Sequence, residues 1–209
     1  MSPVSENDNI QAGIKTHEGA LSAAGHGFAI VASRFNDFIV EKLIAGARDA
    51  LRRTGADPAR VELFRCPGAM ELPGLARRAL ATGRFDALIV LGAVIRGATP
   101  HFDLVVGEAT RGIGALADET GCAIGYGLLA CETIEQAVER AGTKAGNRGF
   151  DAAMVAVEMA ELYARLDAQP SAGATTSSTS SSSASSASNS SASNSMTKAG
   201  LRQDLPRRK

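Results

Sequence analysis

Nine consecutive residues from Ala87 to Ile95 (ALIVLGAVI) carry no polar side chain. A strand with one wet face alternates apolar and polar residues. An unbroken apolar run instead marks a strand covered on both faces, as in the interior of a parallel sheet. The run is about half the length a helix needs to cross a bilayer. Parallel strands need long crossovers, and those crossovers are usually helices.

The flanking sequence supplies them. Phe28–Ser33 (FAIVAS) reads as a first strand, and Phe38–Thr54 follows with Ile39, Leu43, Ile44, Ala47, Ala50 and Leu51 on one helical face before Gly55. Val61–Cys66 reads as a strand stopped by Pro67-Gly68, and Met70–Ala81 as a helix that tolerates Pro73 in its first turn. After the apolar run come a helix over His101–Thr120, a strand over Ala123–Leu129, and helices over Ile134–Ala141 and Phe150–Leu166. This alternation predicts right-handed crossovers and an α/β fold: a three-layer α/β/α sandwich around a four-stranded parallel sheet.

The expected domain covers 26–167, preceded by a flexible arm, 1–25, and followed by a disordered tail, 168–209. Between Ser177 and Ser195, 13 of 19 residues are serine, so that segment has almost nothing apolar to bury. The tail ends in a basic stretch: from residue 170 onward five basic residues face one acidic residue, Asp204. Over the whole chain 22 basic and 22 acidic residues balance. That balance, with only 4% aromatic residues, argues against a nucleic-acid binder. No leader and no membrane span are read from the chain. Cys66, Cys122 and Cys131 are odd in number and form no CxxC pair, which argues against a disulfide framework or zinc site and suits a reducing cytoplasm. His17, His26 and His101 show no metal-ligand spacing, and neither a metal nor another cofactor is expected.

Ligands of open parallel sheets bind beyond the carboxyl ends of the strands. There, Phe35 is either a stacking surface for a flat ring or a side chain tucked under the first helix. Glu71 is a hydrogen-bond acceptor for a ligand or a plain helix-start acid. His101 follows Pro100 at a helix start, where it is either a proton-transfer group beside an anion site or an exposed cap-region histidine. Glu139–Gly149 (ERAGTKAGNRG) sets Arg140, Lys144 and Arg148 among glycines, as a phosphate grip or as a solvated basic turn.

Four motifs together resemble lumazine synthase (the 6,7-dimethyl-8-ribityllumazine synthase family): SRFNDFIVEKL at 33–43, PGAMELP at 67–73, LGAVIRGATPHFD at 91–103 and IEQAVERAGTKAGNRG at 134–149. The resemblance covers about 28–166. It implies a flavodoxin-like fold and the penultimate step of riboflavin biosynthesis, the condensation of 5-amino-6-ribitylamino-uracil with 3,4-dihydroxy-2-butanone 4-phosphate. It also implies residue roles: Phe35, Ala69, Met70, Glu71, Ala93, Val94, Ile95 and Tyr126 for the pyrimidine and ribityl chain; Ala98, Thr99 and Arg140 for the phosphate; and His101 for proton transfer. Three positions depart from the family's frequent choices: Met70 and Tyr126 stand where Phe is common, and Ala98 where Glu or Gln is common. Family members form homopentamers, and those with a GTKAGN-type turn, as at Gly142–Asn147, resemble the members whose pentamers close into a 60-subunit shell. A riboflavin synthase is the expected protein partner. Two rivals are a flavin carrier without catalysis and a purely structural shell protein; the carrier would be expected to lose His101 or Arg140, and both are present.

Overall fold

The computed structural model describes residues 14–169. The serine-rich tail from residue 170 and the first 13 residues of the expected arm lie outside the described residues. Four strands, β1 (Phe28–Ser33), β2 (Val61–Cys66), β3 (Ala87–Ile95) and β4 (Ala123–Cys131), form one parallel sheet in the order β2-β1-β3-β4. Helices α1 (Asp37–Arg53) and α5 (Arg148–Asp167) cover one face, and α2 (Leu72–Leu80) and α3 (His101–Thr120) cover the other. The short α4 (Ile134–Glu139) follows β4. None of the described helices is long and apolar enough to cross a membrane.

The apolar run does what its composition requires. Ala87 to Leu91 are all 0% exposed, with Ile89 and Leu91 packed toward α1 and α5 and Leu88 and Val90 toward α2 and α3. Burying a side chain such as Leu88 contributes about 1.5–3 kcal/mol. α5 packs against the sheet and α1 through small buried residues, Ala152, Ala153, Ala156 and Ala160. A Cβ on Gly125 would collide with the Ala152 carbonyl, and one on Gly149 with the Leu43 carbonyl. Part of the expected arm touches this body: Ala23 is buried and its N–H donates to the Thr54 carbonyl at 2.9 Å.

Helix ends shift by one or two residues from the sequence reading, and three differences have a tertiary or steric reason. β4 runs two residues further, to Cys131, because β3 continues to pair with it up to Ile95. A 3₁₀ turn at Ala69–Glu71 precedes α2, which begins only at Leu72 with Pro73 in its first turn. The basic segment after α4 is a small antiparallel hairpin, β5 (Ala141–Thr143) with β6 (Gly146–Asn147), its turn made with positive φ at Gly142 and Gly146.

Among the described residues, Ser33 Oγ is the one buried side-chain oxygen without a hydrogen-bond partner. Removing an unpaired buried hydroxyl relieves its desolvation cost. The Ser33→Ala variant should therefore be more stable by about 1 kcal/mol, a rise of roughly 2–4 °C in melting temperature. Thermal unfolding followed by circular dichroism checks this, and a loss of stability would point to a partner for the hydroxyl.

Candidate active site at the carboxyl rim of the sheet

All four strands run the same way, so β1, β2 and β3 deliver their following loops to one rim. The β1–β2 pairing continues past both strands, with the Arg34 N–H donating to the Cys66 carbonyl (2.8 Å) and the Phe35 N–H to the Pro67 carbonyl (3.0 Å). That seats Phe35 beside the 67–71 loop. Asn36 follows in the left-handed region, φ 59°, and its Nδ2 donates to the Ala93 carbonyl at 2.9 Å. The Phe35 ring is turned out of the fold, 69% exposed, so it is not tucked under α1. It forms an aromatic face with no packing duty in the core.

β3 outruns β1 at this edge. Its pairing with β1 stops at Leu91, whereas pairing with β4 reaches Ile95. Ala93 and Ile95 therefore turn backbone groups to the β1 side with no ladder partner, apart from the Ala93 carbonyl that Asn36 occupies, while Val94 between them turns its own to β4. Such a strand end can read the hydrogen-bonding edge of a flat heterocycle.

The 67–71 loop is held by Glu71, whose Oε2 accepts from the Gly68 N–H at 2.9 Å. Ala69 is buried and Met70 half exposed. The remaining Glu71 oxygen is free to accept hydroxyl hydrogen bonds. Beside it, burial pushes the Cys66 thiol up to about 11, which leaves it protonated and a poor nucleophile.

After β3, Ala98, Thr99 and Pro100 are exposed and lead into α3, where His101 is the first residue. Pro100 stands at the cap without a side-chain bond, and the Asp103 N–H donates to the Pro100 carbonyl at 3.1 Å, so the amides of His101 and Phe102 are left for another acceptor. A histidine and free amides on the same turn suit proton transfer next to an anion.

The last two predicted residues stand apart from the β1–β3 loops in different ways, Tyr126 set back along its strand and Arg140 beyond α4. Tyr126 lies in the middle of β4, paired with Val90, four residues short of Val94 and thus about 13 Å back along the strand. Its hydroxyl lies 2.6 Å from Thr110 Oγ1 on α3, and Thr110 Oγ1 in turn donates to the Val106 carbonyl at 2.7 Å. Because the Thr110 hydrogen is spent there, Tyr126 is the donor of the pair. Arg140 follows α4 and donates from Nη1 to the Gln136 carbonyl at 2.9 Å. Its basic neighbours have carboxylates: Lys144 pairs with Glu139 at 3.6 Å and Arg148 with Asp151 at 3.1 Å. Arg140 has no ion-pair partner among the described residues, so it is the arginine of this segment left for an external anion.

Sequence reasoning missed Asn36 and Arg96. Asn36, in the short turn between the first strand and the first helix, was a usable signal for a left-handed residue. Arg96 gave none, because its partners Asp103 and Glu132 meet it only through the fold.

Comparison with known proteins gives one consistent result. The model of the 6,7-dimethyl-8-ribityllumazine synthase family matches residues 25–164. A protein of that name from Chlorobium luteolum is 58% identical over 125 residues, which is 60% of this chain and 81% of that protein. Namesakes from Nitratidesulfovibrio vulgaris (53% identical) and Anaeromyxobacter dehalogenans (50%) also match 60% of this chain, and 80% and 77% of their own lengths.

Proposed function

Since the chain belongs to the 6,7-dimethyl-8-ribityllumazine synthase family, we propose that the carboxyl rim is where it carries out the family's reaction, with the roles set out below. The protein is a transferase of riboflavin biosynthesis: it condenses 5-amino-6-(D-ribitylamino)uracil with 3,4-dihydroxy-2-butanone 4-phosphate to 6,7-dimethyl-8-ribityllumazine, releasing phosphate and water. The observation that carries the assignment of the rim is the outward ring of Phe35 beside the open end of β3. The uracil stacks on that ring while the backbone of Ala93, Val94 and Ile95 reads its polar edge. Ala69, Met70 and Glu71 hold the ribityl chain. The amides at Ala98 and Thr99, with Arg140, hold the phosphate.

The chemistry asks little of side chains. The substrate amine is already a nucleophile and the ketone an electrophile, so no covalent enzyme intermediate is needed. Holding the two in line accounts for most of the acceleration, on the order of 7–11 kcal/mol in well-oriented systems. His101 moves protons as the amine adds to the ketone, as water leaves to give the imine, and as phosphate departs.

Tyr126 and Arg140 serve the rim of a neighbouring copy in a homopentamer. The setback of Tyr126 from the other residues within one chain supports a site shared between subunits. The Gly142–Asn147 turn favours closure of twelve pentamers into a 60-subunit shell. Three free cysteines suit the cytoplasm, and a riboflavin synthase is the partner that consumes the product. An absorbance assay of purified protein with both substrates tests the reading. Saturable lumazine formation above the uncatalysed rate is expected, and a background rate with retained lumazine binding would make the protein a carrier.

A further inference from the structure

Arg96 is the first residue after β3, and the surroundings of its guanidinium are unlike those of any other described arginine. Its backbone N–H donates to the Cys131 carbonyl at 2.9 Å, so its Cα is fixed by the sheet. Nη1 and Nη2 make a two-pronged contact with Asp103 in the first turn of α3, at 2.9 and 2.8 Å. Nε donates to Glu132, at the start of the turn after β4, at 2.6 Å. The guanidinium carbon lies 4.1 Å from the ring centre of Phe102, which is itself buried. One planar cation thus joins the end of β3, the first turn of α3 and the β4–α4 turn. Between its attachment points run Gly97, Ala98, Thr99 and Pro100, which make no side-chain hydrogen bond among the described residues.

We propose that Arg96 is a positioning residue of the condensation: it fixes the opening turn of α3, which carries Thr99 and His101, and cancels two carboxylates that would repel the substrate phosphate there. The inference rests on the functional reading above. Without Arg96 the turn would meet a doubly charged phosphate with Asp103 and Glu132 uncompensated, and like charges so placed oppose binding. The uracil substrate carries no such charge, so the effect falls on one substrate. A lysine in this place would restore the charge but neither the fork on Asp103 nor the stack on Phe102.

The test compares the full chain with R96Q, R96K and R96Q/D103N/E132Q. It measures both Michaelis constants and kcat, and it measures inorganic phosphate binding separately by calorimetry. R96Q should raise the Michaelis constant of the butanone phosphate and the phosphate Kd about 10–50-fold, and leave the uracil constant within about 2-fold. The triple variant should recover most of the phosphate affinity. R96K should keep that affinity within about 3-fold while kcat falls. Equal movement of both Michaelis constants, unchanged phosphate binding in R96Q, or no recovery in the triple variant would overturn the proposal. Should R96Q fail to fold, D103N/E132Q carries the test: kcat falls with no loss of phosphate binding, and a weaker Kd or an unchanged kcat overturns it. A wild-type protein that binds phosphate yet makes no lumazine would sink the functional reading instead, and the calorimetric comparison would still judge Arg96.

Discussion

Replacing Arg140 by alanine should raise the Michaelis constant for the butanone phosphate about 100-fold, with a far smaller change for the ribitylamino-uracil. The magnitude follows from losing hydrogen bonds to a charged group, about 1.5–3 kcal/mol for each one, at about 1.4 kcal/mol per tenfold. The folded state should tolerate the change, because among the described residues Arg140 holds no carboxylate and its one side-chain bond goes to the Gln136 carbonyl of the preceding helix. Steady-state kinetics with each substrate varied in turn measures it. An unchanged constant for the phosphate substrate would remove Arg140 from the site. Arg140→Lys should recover only part of the loss, since a point charge replaces the planar fork.

Replacing His101 by alanine should lower kcat by about 10–100-fold, the lower part of the range for general acid–base groups, because positioning supplies most of the acceleration. Both Michaelis constants should stay within about 3-fold, the pattern of a group used in the transition state rather than in binding. The side chain is exposed at the start of α3 and makes no hydrogen bond that its loss would break among the described residues. A kcat equal to wild type would return His101 to an ordinary helix-start residue. The two variants also test the shared site. If His101 and Arg140 act at one site from different subunits, mixed oligomers of the two single variants regain activity at roughly a quarter of their sites, by chance pairing. No regain on mixing would place both residues in one subunit's site.

How much of this was legible beforehand follows from how local each feature is. ALIVLGAVI and FAIVAS carry their burial in their own composition, and both strands appear with the bounds read from sequence. The helix over His101–Thr120 and the loops of the rim were equally plain. What escaped was set by neighbours distant in the chain. The last residues of β4 are strand only because β3 extends beside them. The hairpin in the basic segment depends on glycines at positive φ, which composition suggests as a turn but does not pair. For the basic segment, composition left a choice between a phosphate grip and a solvated turn, and the pairing of Lys144 and Arg148 with nearby carboxylates supports the role proposed for Arg140. The Arg96 bracket spans 36 residues to Glu132, beyond any periodicity.

The left-handed turn at Asn36 has a kinetic meaning. A non-glycine residue in that region is held there by its bond to the Ala93 carbonyl, so the backbone under Phe35 is set before any substrate arrives. The conformational cost of presenting the aromatic face is met during folding instead of at each encounter. On the proposed role of Phe35, a flat heterocycle meets a preorganised platform and binds without first ordering a loop.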